Sequence, residues 1–314
     1  MQFSRMTAND AEISSRNSSA PDDSSFSFSR LGRAFGLLTK SEYRVTIFVW
    51  SVTTAYLLAT NLKPSFPVLA EVIVSSYFLS LGVYVFNALM DAQEDQINHP
   101  KRPIASGRVL SREGWLVFSI SISIAFAVGT LVGFLTLTLL LSSFLLGIAY
   151  SHPSIRAKRR FPFKLLVSVL GAVCCSLAGG IVAGNLDGAV IFSALFFGLF
   201  AMVTLLLGDM SDIRGDLDSG TRSLPIVVGP RNAIVFIACV PLVIAFLGVA
   251  FFRMLNFNPL FPVLVLGITT FSSANIIALL GKYDDYARLG RVKSRMRLVH
   301  FALQLSLILG LIAL

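Results

Sequence analysis

The sequence is poor in charged residues. Asp, Glu, Lys and Arg make up 14% of its 314 residues, while 55% are hydrophobic. Soluble domains carry nearer a quarter charged residues, and the mean hydropathy of this chain is +0.76. The scarcity of charge excludes an ordinary soluble domain and predicts an integral membrane protein.

Cysteine is scarce as well. There are three, of which Cys174 and Cys175 are adjacent in one apolar run and Cys239 lies in another. This spacing indicates neither a disulfide nor a metal site. The histidines are scattered and none pairs with a cysteine, so the sequence offers no zinc motif.

The first 35 residues contain few large apolar side chains and are rich in Ser and Asn. They contain no apolar core of the kind found in a signal peptide, and this composition predicts a disordered N-terminal tail over 1–35. The remainder, 36–314, is predicted to be one membrane domain.

Long apolar runs dominate that domain. A membrane-spanning helix needs about 20 mostly apolar residues, and lipid-exposed backbone must satisfy its own hydrogen bonds. The sequence therefore predicts an all-α, polytopic protein. Nine spans are predicted, at about 46–62, 67–90, 114–131, 133–150, 163–183, 188–207, 232–252, 259–281 and 298–314.

Basic residues are distributed unevenly between the segments that connect these spans. With nine spans, all of the 26 Lys and Arg residues except Lys63 and Arg253 fall on one side. Segments rich in Lys and Arg face the cytoplasm, so the N-terminus and the polar loops are predicted to be cytoplasmic. No basic stretch belongs to a soluble folded region, which excludes a nucleic-acid partner.

Acidic residues number only 17, and two groups of them follow predicted spans. The segment NALMDAQEDQINHPKRPIASGR begins at residue 87, and GDMSDIRGDLDSGTRSLPIVVG begins at residue 208. Residues three or four apart share one face of a helix. The spacing therefore predicts two polar stripes, with Glu94 and Asp218 pointing elsewhere. Their members are Asn87, Asp91 and Asp95 in the first stripe, and Asp209, Asp212 and Asp216 in the second.

Two acidic stripes on one side of a membrane repel each other unless a cation lies between them. Magnesium is commonly bound by one or two carboxylates together with substrate phosphates, and Asn87 adds a neutral oxygen. Basic residues follow each stripe, and a third loop, YSHPSIRAKRRFPFK from residue 150, contains several more. Arginine and lysine bind phosphate oxygens. Carboxylates and basic residues together predict a magnesium–diphosphate site.

These three segments resemble motifs of the UbiA superfamily of intramembrane prenyltransferases. The first resembles the pattern N-x3-D-x3-D, the second a long form of D-x3-D, and the third the Y-S-x-P loop. The motif sequences are most similar to those of the branch that contains digeranylgeranylglyceryl phosphate synthase and chlorophyll synthase. The resemblance implies nine helices around a central cavity, with a cap on the cytoplasmic side.

The resemblance also implies roles for particular residues. Both stripes would bind Mg²⁺, with Asp91, Asp95, Asp212 and Asp216 central to catalysis. Tyr150 and Ser151 would line the binding site. The diphosphate would be held by Arg44, Lys101, Arg102, Arg156 and Lys158, of which Arg102 and Lys158 would also act in catalysis.

The implied reaction is transfer of an isoprenyl group from an isoprenyl diphosphate to a lipophilic acceptor. The bond to the diphosphate would break to give an allylic carbocation, which the acceptor traps. A terpene cyclase, which acts on the prenyl diphosphate alone, is an alternative that shares the same site. A membrane transporter is a more remote alternative, because the acidic residues lie at the ends of the spans rather than near the midplane.

Overall fold

The computed structural model describes residues 27–155, 157–218 and 220–312. Within them the protein is all-helical, as predicted. The helices in chain order are α1 (Phe28–Ser41), α2 (Arg44–Ala59), α3 (Phe66–Met90), α4 (Ala92–Asn98), α5 (Ser111–Val132), α6 (Phe134–Ser151), α7 (Phe163–Val182), α8 (Gly188–Asp218), α9 (Leu224–Val228), α10 (Pro230–Phe251), α11 (Leu260–Ile277) and α12 (Tyr286–Leu311).

Each of the nine predicted spans coincides with a long helix. Seven of these helices are long and apolar enough to cross a membrane by length and composition, which makes the chain a multi-pass membrane protein. The other two are α2, which has 16 residues, and α12, whose first half is rich in Arg and Lys. The number of nine spans therefore stays a prediction.

The predicted disordered tail is wrong for residues 28–35, because α1 begins at Phe28. Ala34 and Leu38 of this helix are buried in one cluster with residues of α3 and α5. Arg30 Nε also donates to Glu113 Oε1 of α5 at 3.1 Å. These contacts stabilise the short amphipathic helix. The prediction for residues 1–26 lies outside the described residues.

Several helices pack through glycine because their backbones come very close. Gly179 of α7 lies against the Val52 carbonyl oxygen and the Tyr56 nitrogen of α2. Gly133, at φ 137°, lies between α5 and α6, where the sequence predicts a break between the third and fourth spans. Small residues allow such close approach between membrane helices. This packing places α2 and α7 side by side along the interior.

Polar segments that follow α3, α6 and α8 meet at one end of the bundle. Helix α4 packs against α8. The backbones of the other two loops are joined by Phe161 N donating to Arg222 O and Arg222 N donating to Arg159 O, both at 3.0 Å. This end corresponds in position to the predicted cap, and its cytoplasmic location stays a prediction.

Candidate active site

A cavity of about 820 Å³ runs between α2, α3, α6, α7, α8 and α12. Its wall along α3 extends from Asp91 to Val72, a distance of about 28 Å at 1.5 Å per residue. Deeper parts are lined mainly by apolar side chains such as Leu79, Leu140 and Val182. The charged residues are concentrated at the end near Asp91. The cavity therefore suits a ligand with a charged head and a long apolar tail.

The first stripe lies at this polar end. Helix α3 ends at Met90, but the bonds Asp91 N to Asn87 O (2.9 Å) and Asp95 N to Asp91 O (2.8 Å) keep the four-residue spacing through the junction with α4. Asn87 Nδ2 donates to Asp91 Oδ2 at 2.7 Å, and Ser151 Oγ donates to Asn87 Oδ1 at 2.9 Å. All of these side chains line the cavity.

Basic side chains face the carboxylates of the first stripe. Lys158 Nζ donates to Asp91 Oδ1, and Lys158 is 7% exposed. Nη1 of Arg102 donates to both Asp95 carboxylate oxygens, at 2.7 and 2.9 Å. Glu94 forms ion pairs with Lys158, at 3.6 Å, and with Arg159. The prediction that Glu94 points elsewhere is wrong, because Glu94 lies three residues after Asp91 and its side chain also lines the cavity.

The second stripe lies on α8, which continues to Asp218 and so carries the carboxylates on a single helix. Lys164 Nζ lies 2.6 Å from Asp209 Oδ1. His99 Nε2 lies 3.2 Å from Asp212 Oδ1, which joins the loop after the first stripe to the second. Asp216 lines the same cavity and is buried.

The approach of α4 to α8 brings the two stripes together. Gly215 lies directly against the side-chain amide of Asn98, and a Cβ at this position would overlap that amide. A larger residue would require the Asn98 side chain to move from its present position. The glycine between Asp212 and Asp216 thus allows the close contact between α4 and α8.

Burial shifts the pKa values of charged side chains at this end of the cavity. Burial raises the pKa of the Asp95 carboxyl, and the adjacent Arg102 guanidinium acts in the opposite direction. Burial and the charges of Arg159 and Lys164 lower the pKa of Lys158 to about 8, against the opposing effect of Asp216. Opposite charges are therefore needed here to keep these groups ionised.

Most of the predicted site residues come together in the structure. Lys101 is exposed and does not line the cavity, so the structure does not place it with the others. Arg156 lies outside the described residues. The predicted residues that do line the cavity are Arg44, Asn87, Asp91, Asp95, Arg102, Tyr150, Ser151, Lys158, Asp209, Asp212 and Asp216.

Sequence reasoning missed several charged or polar side chains of this cavity, including His99, Lys164, Lys293 and Arg297. The sequence did contain a signal for Lys164, because a lysine at the start of a predicted span must find a partner or reach the membrane surface. Lys293 and Arg297 lie within a dense run of basic residues. The sequence does not show which of that run face inward.

The oxygen ligands of both stripes fit Mg²⁺, a hard cation that prefers carboxylate and amide oxygens. Among the described residues, however, no three His, Cys, Asp or Glu side chains are grouped closely enough to hold a metal ion. Ammonium and guanidinium groups neutralise the carboxylates instead. The donor set therefore fits an ion shared between one or two carboxylates and a substrate phosphate, rather than a metal enclosed by protein alone.

Comparisons with known proteins agree with this arrangement. The UbiA prenyltransferase family matches residues 48–299. The chain is 35% identical over 242 residues to digeranylgeranylglyceryl phosphate synthase of Methanothermobacter thermautotrophicus, which covers 75% of this chain and 81% of the relative. It is 29% identical over 192 residues to homogentisate geranylgeranyltransferase of Hordeum vulgare, covering 57% of this chain and 47% of the relative.

Solved structures show the same fold. A UbiA homologue from Archaeoglobus fulgidus, bound to GPP and Mg²⁺, aligns with a TM-score of 0.64 at 18% identity, covering 88% of this chain and 99% of that chain. Because the family match extends over most of the sequence, the chain belongs to the UbiA prenyltransferase family and is a membrane enzyme that transfers prenyl groups to acceptors.

Proposed function

We propose that the enzyme catalyses Mg²⁺-dependent transfer of an isoprenyl group from an isoprenyl diphosphate to a lipophilic acceptor. The observation that carries this proposal is the cavity itself, in which two acidic stripes and their basic partners lie above an apolar channel. Relatives support it: one is named for a geranylgeranyl transfer, and a solved homologue contains GPP and Mg²⁺.

Binding of the diphosphate head exchanges one set of ion pairs for another. Asn87, Asp91 and Asp95 of the first stripe, and Asp209, Asp212 and Asp216 of the second, would hold Mg²⁺. The metal supplies Lewis-acid stabilisation of the leaving diphosphate. Lys158 and Arg102, which now contact Asp91 and Asp95, would turn toward the phosphate oxygens. Arg44, Lys101 and Arg156 are proposed as further contacts to the diphosphate.

Ionisation of the carbon–oxygen bond then needs stabilisation of the departing negative charge. Lys158 and Arg102 already lie at the polar end, and once turned to the bound diphosphate their charges would be in place before the bond breaks. Tyr150 and Ser151 would form the wall beside the reacting carbon, and Ser151 positions Asn87 through its hydrogen bond. The apolar channel excludes water, which would otherwise capture the allylic cation. Aromatic faces on the wall, such as that of Phe48, can stabilise positive charge.

The acceptor completes the reaction by attacking the allylic carbon. An alcohol acceptor would pass its hydroxyl proton to the released diphosphate, whereas a carboxylate has none to lose. The motif sequences resemble those of the branch named above, which favours an alcohol or a carboxylate as the nucleophile. The product would then be an ether or an ester. A relative at 35% identity is named for a glyceryl phosphate lipid. We therefore place the acceptor among amphiphilic lipids rather than water-soluble aromatics.

Product analysis of the purified enzyme tests the proposal. The enzyme in neutral detergent would receive geranylgeranyl diphosphate with Mg²⁺, first alone and then with a panel of acceptors. We expect a prenylated product only when both acceptor and Mg²⁺ are present, and no product after chelation with EDTA. A hydrocarbon or terpene alcohol formed without acceptor would instead indicate a cyclase. An absence of any diphosphate release by folded enzyme would contradict the proposal as a whole.

A further inference from the structure

Two cations on the cavity wall differ from the others in their surroundings. Lys293 and Arg297 lie four residues apart on α12, so they share one face of the helix, and both line the cavity. Lys293 Nζ donates to Ser211 Oγ at 2.9 Å. The Arg297 guanidinium lies 4.1 Å from the centre of the Tyr43 ring. Within the described parts of the chain, neither has a carboxylate within 4.0 Å.

The remaining cations of the polar end are already compensated. Arg102 and Lys158 contact the first stripe, Lys164 contacts Asp209, and Arg44 Nη2 lies 2.9 Å from Glu42 Oε2. Partly buried charge without a counter-charge is costly. Burial lowers the pKa of Lys293, Asp212 opposes this, and the positive charges of Arg44, Arg102 and Arg297 lower the pKa further. The α12 wall thus holds positive charge in excess.

The general bias of basic residues toward one membrane face does not account for this pair. Arg291 and Arg295 on the same helix are exposed, as that bias requires. Lys293 and Arg297 are instead only partly exposed and face the interior. This placement favours binding of an anion that enters the cavity and compensates the two positive charges.

We propose that Lys293 and Arg297 form a second anion site, which holds the phosphate group of an amphiphilic acceptor while its tail lies in the apolar channel. This inference rests on the proposed function. Lys293 contacts Ser211, the neighbour of Asp212, so the acceptor head would lie beside the metal–diphosphate site without sharing its ligands. Arginine and lysine together provide two positive charges, which match a phosphate monoester better than a singly charged carboxylate.

Kinetics with paired acceptors test this site. The probes are a prenyl glyceryl phosphate, the same lipid without its phosphate, and homogentisate as a carboxylate acceptor, each with geranylgeranyl diphosphate and Mg²⁺. The native enzyme is expected to prefer the phosphate lipid. In the double variant Lys293→Gln/Arg297→Gln, its KM should rise on the order of 10- to 100-fold, as loss of hydrogen bonds to a charged group implies. The KM for the donor should not change.

The double variant Arg291→Gln/Arg295→Gln is the matched control, because it removes the same charge from exposed positions of the same helix and should leave both KM values unchanged. A rise in the donor KM in the Lys293/Arg297 variant would show that these cations hold the donor diphosphate. Native preference for the uncharged lipid or for homogentisate would also overturn the inference while leaving prenyl transfer intact.

A binding measurement keeps the inference independent of turnover. The phosphate lipid, added without donor or Mg²⁺, should raise the melting temperature of the native enzyme more than its uncharged analogue does. The Lys293/Arg297 variant should lose that difference. Equal shifts with both lipids in the native enzyme would contradict the site even if no acceptor were turned over.

Discussion

At the scale of single residues, the carboxylates of this site sit close to basic side chains at the edge of a membrane. Asp91 faces Lys158, Asp95 faces Arg102, and His99 reaches Asp212. Removing one charge of a buried pair leaves the other uncompensated, whereas removing both often costs little. Substitutions at these positions can therefore separate catalytic effects from effects on stability.

Asp91→Asn should lower turnover strongly and leave the protein folded, because Lys158 keeps Glu94 as a partner at 3.6 Å. The amide has nearly the same shape but loses the charge that faces Lys158 and, in the proposed function, Mg²⁺. We expect kcat/KM to fall by at least about 100-fold, a magnitude typical of losing one electrostatic contact in a transition state. Diphosphate release at saturating Mg²⁺ measures the effect. Asp218→Asn, at an exposed position outside the cavity, should behave like the native enzyme, and equal activity of both variants would contradict the assignment.

Lys164→Met should destabilise the fold, because Asp209 is 3% exposed and would lose the ammonium group 2.6 Å away. Breaking such a pair costs about 3–5 kcal/mol. The double variant Lys164→Met/Asp209→Leu should regain most of that stability without regaining activity. Thermal unfolding in detergent measures the stability of the single and the double variant. A double variant no more stable than the single one would show that the two side chains do not compensate each other.

At the scale of helices, backbone proximity sets the spacing of the cavity wall. Gly179→Ala on α7 would place a methyl group 2.6 Å from the Tyr56 nitrogen and still closer to the Val52 carbonyl. Backbone atoms cannot rotate away, so we expect a loss of about 1–3 kcal/mol, the usual cost of overpacking. Gly267→Ala, where no atom lies within 4 Å of the new methyl, is the control. Similar melting temperatures for the two variants would argue against the close α2–α7 contact.

The helices and both polar stripes were predictable because hydropathy and four-residue spacing are local properties of the sequence. The pairing of charged side chains was not predictable, since Lys164 and Asp209 meet only after α7 and α8 pack. The sequence also does not show that Glu94, three residues after Asp91, pairs with Lys158 and Arg159. Helix α1 was missed because a short amphipathic segment folds only against its tertiary neighbours.

At the scale of the whole molecule, the distribution of Lys and Arg predicts the orientation of the protein in its membrane. A cysteine-free variant carrying Lys63→Cys should react with a membrane-impermeant maleimide on intact cells. One carrying Arg108→Cys should react only after the membrane is permeabilised. Labelling in the reverse order would invert the predicted topology, and labelling of both on intact cells would mean that the number of spans differs from nine.

The loops after α6 and α8 are joined by two backbone hydrogen bonds between residues 159–161 and Arg222. One loop carries Lys158, and the other follows α8, which carries the second stripe and ends at Asp218. A displacement of either loop is therefore transmitted to the other through the main chain. Substrate entry from this side would then involve one coupled movement, in which Lys158, the partner of Asp91, shifts together with the end of the second stripe.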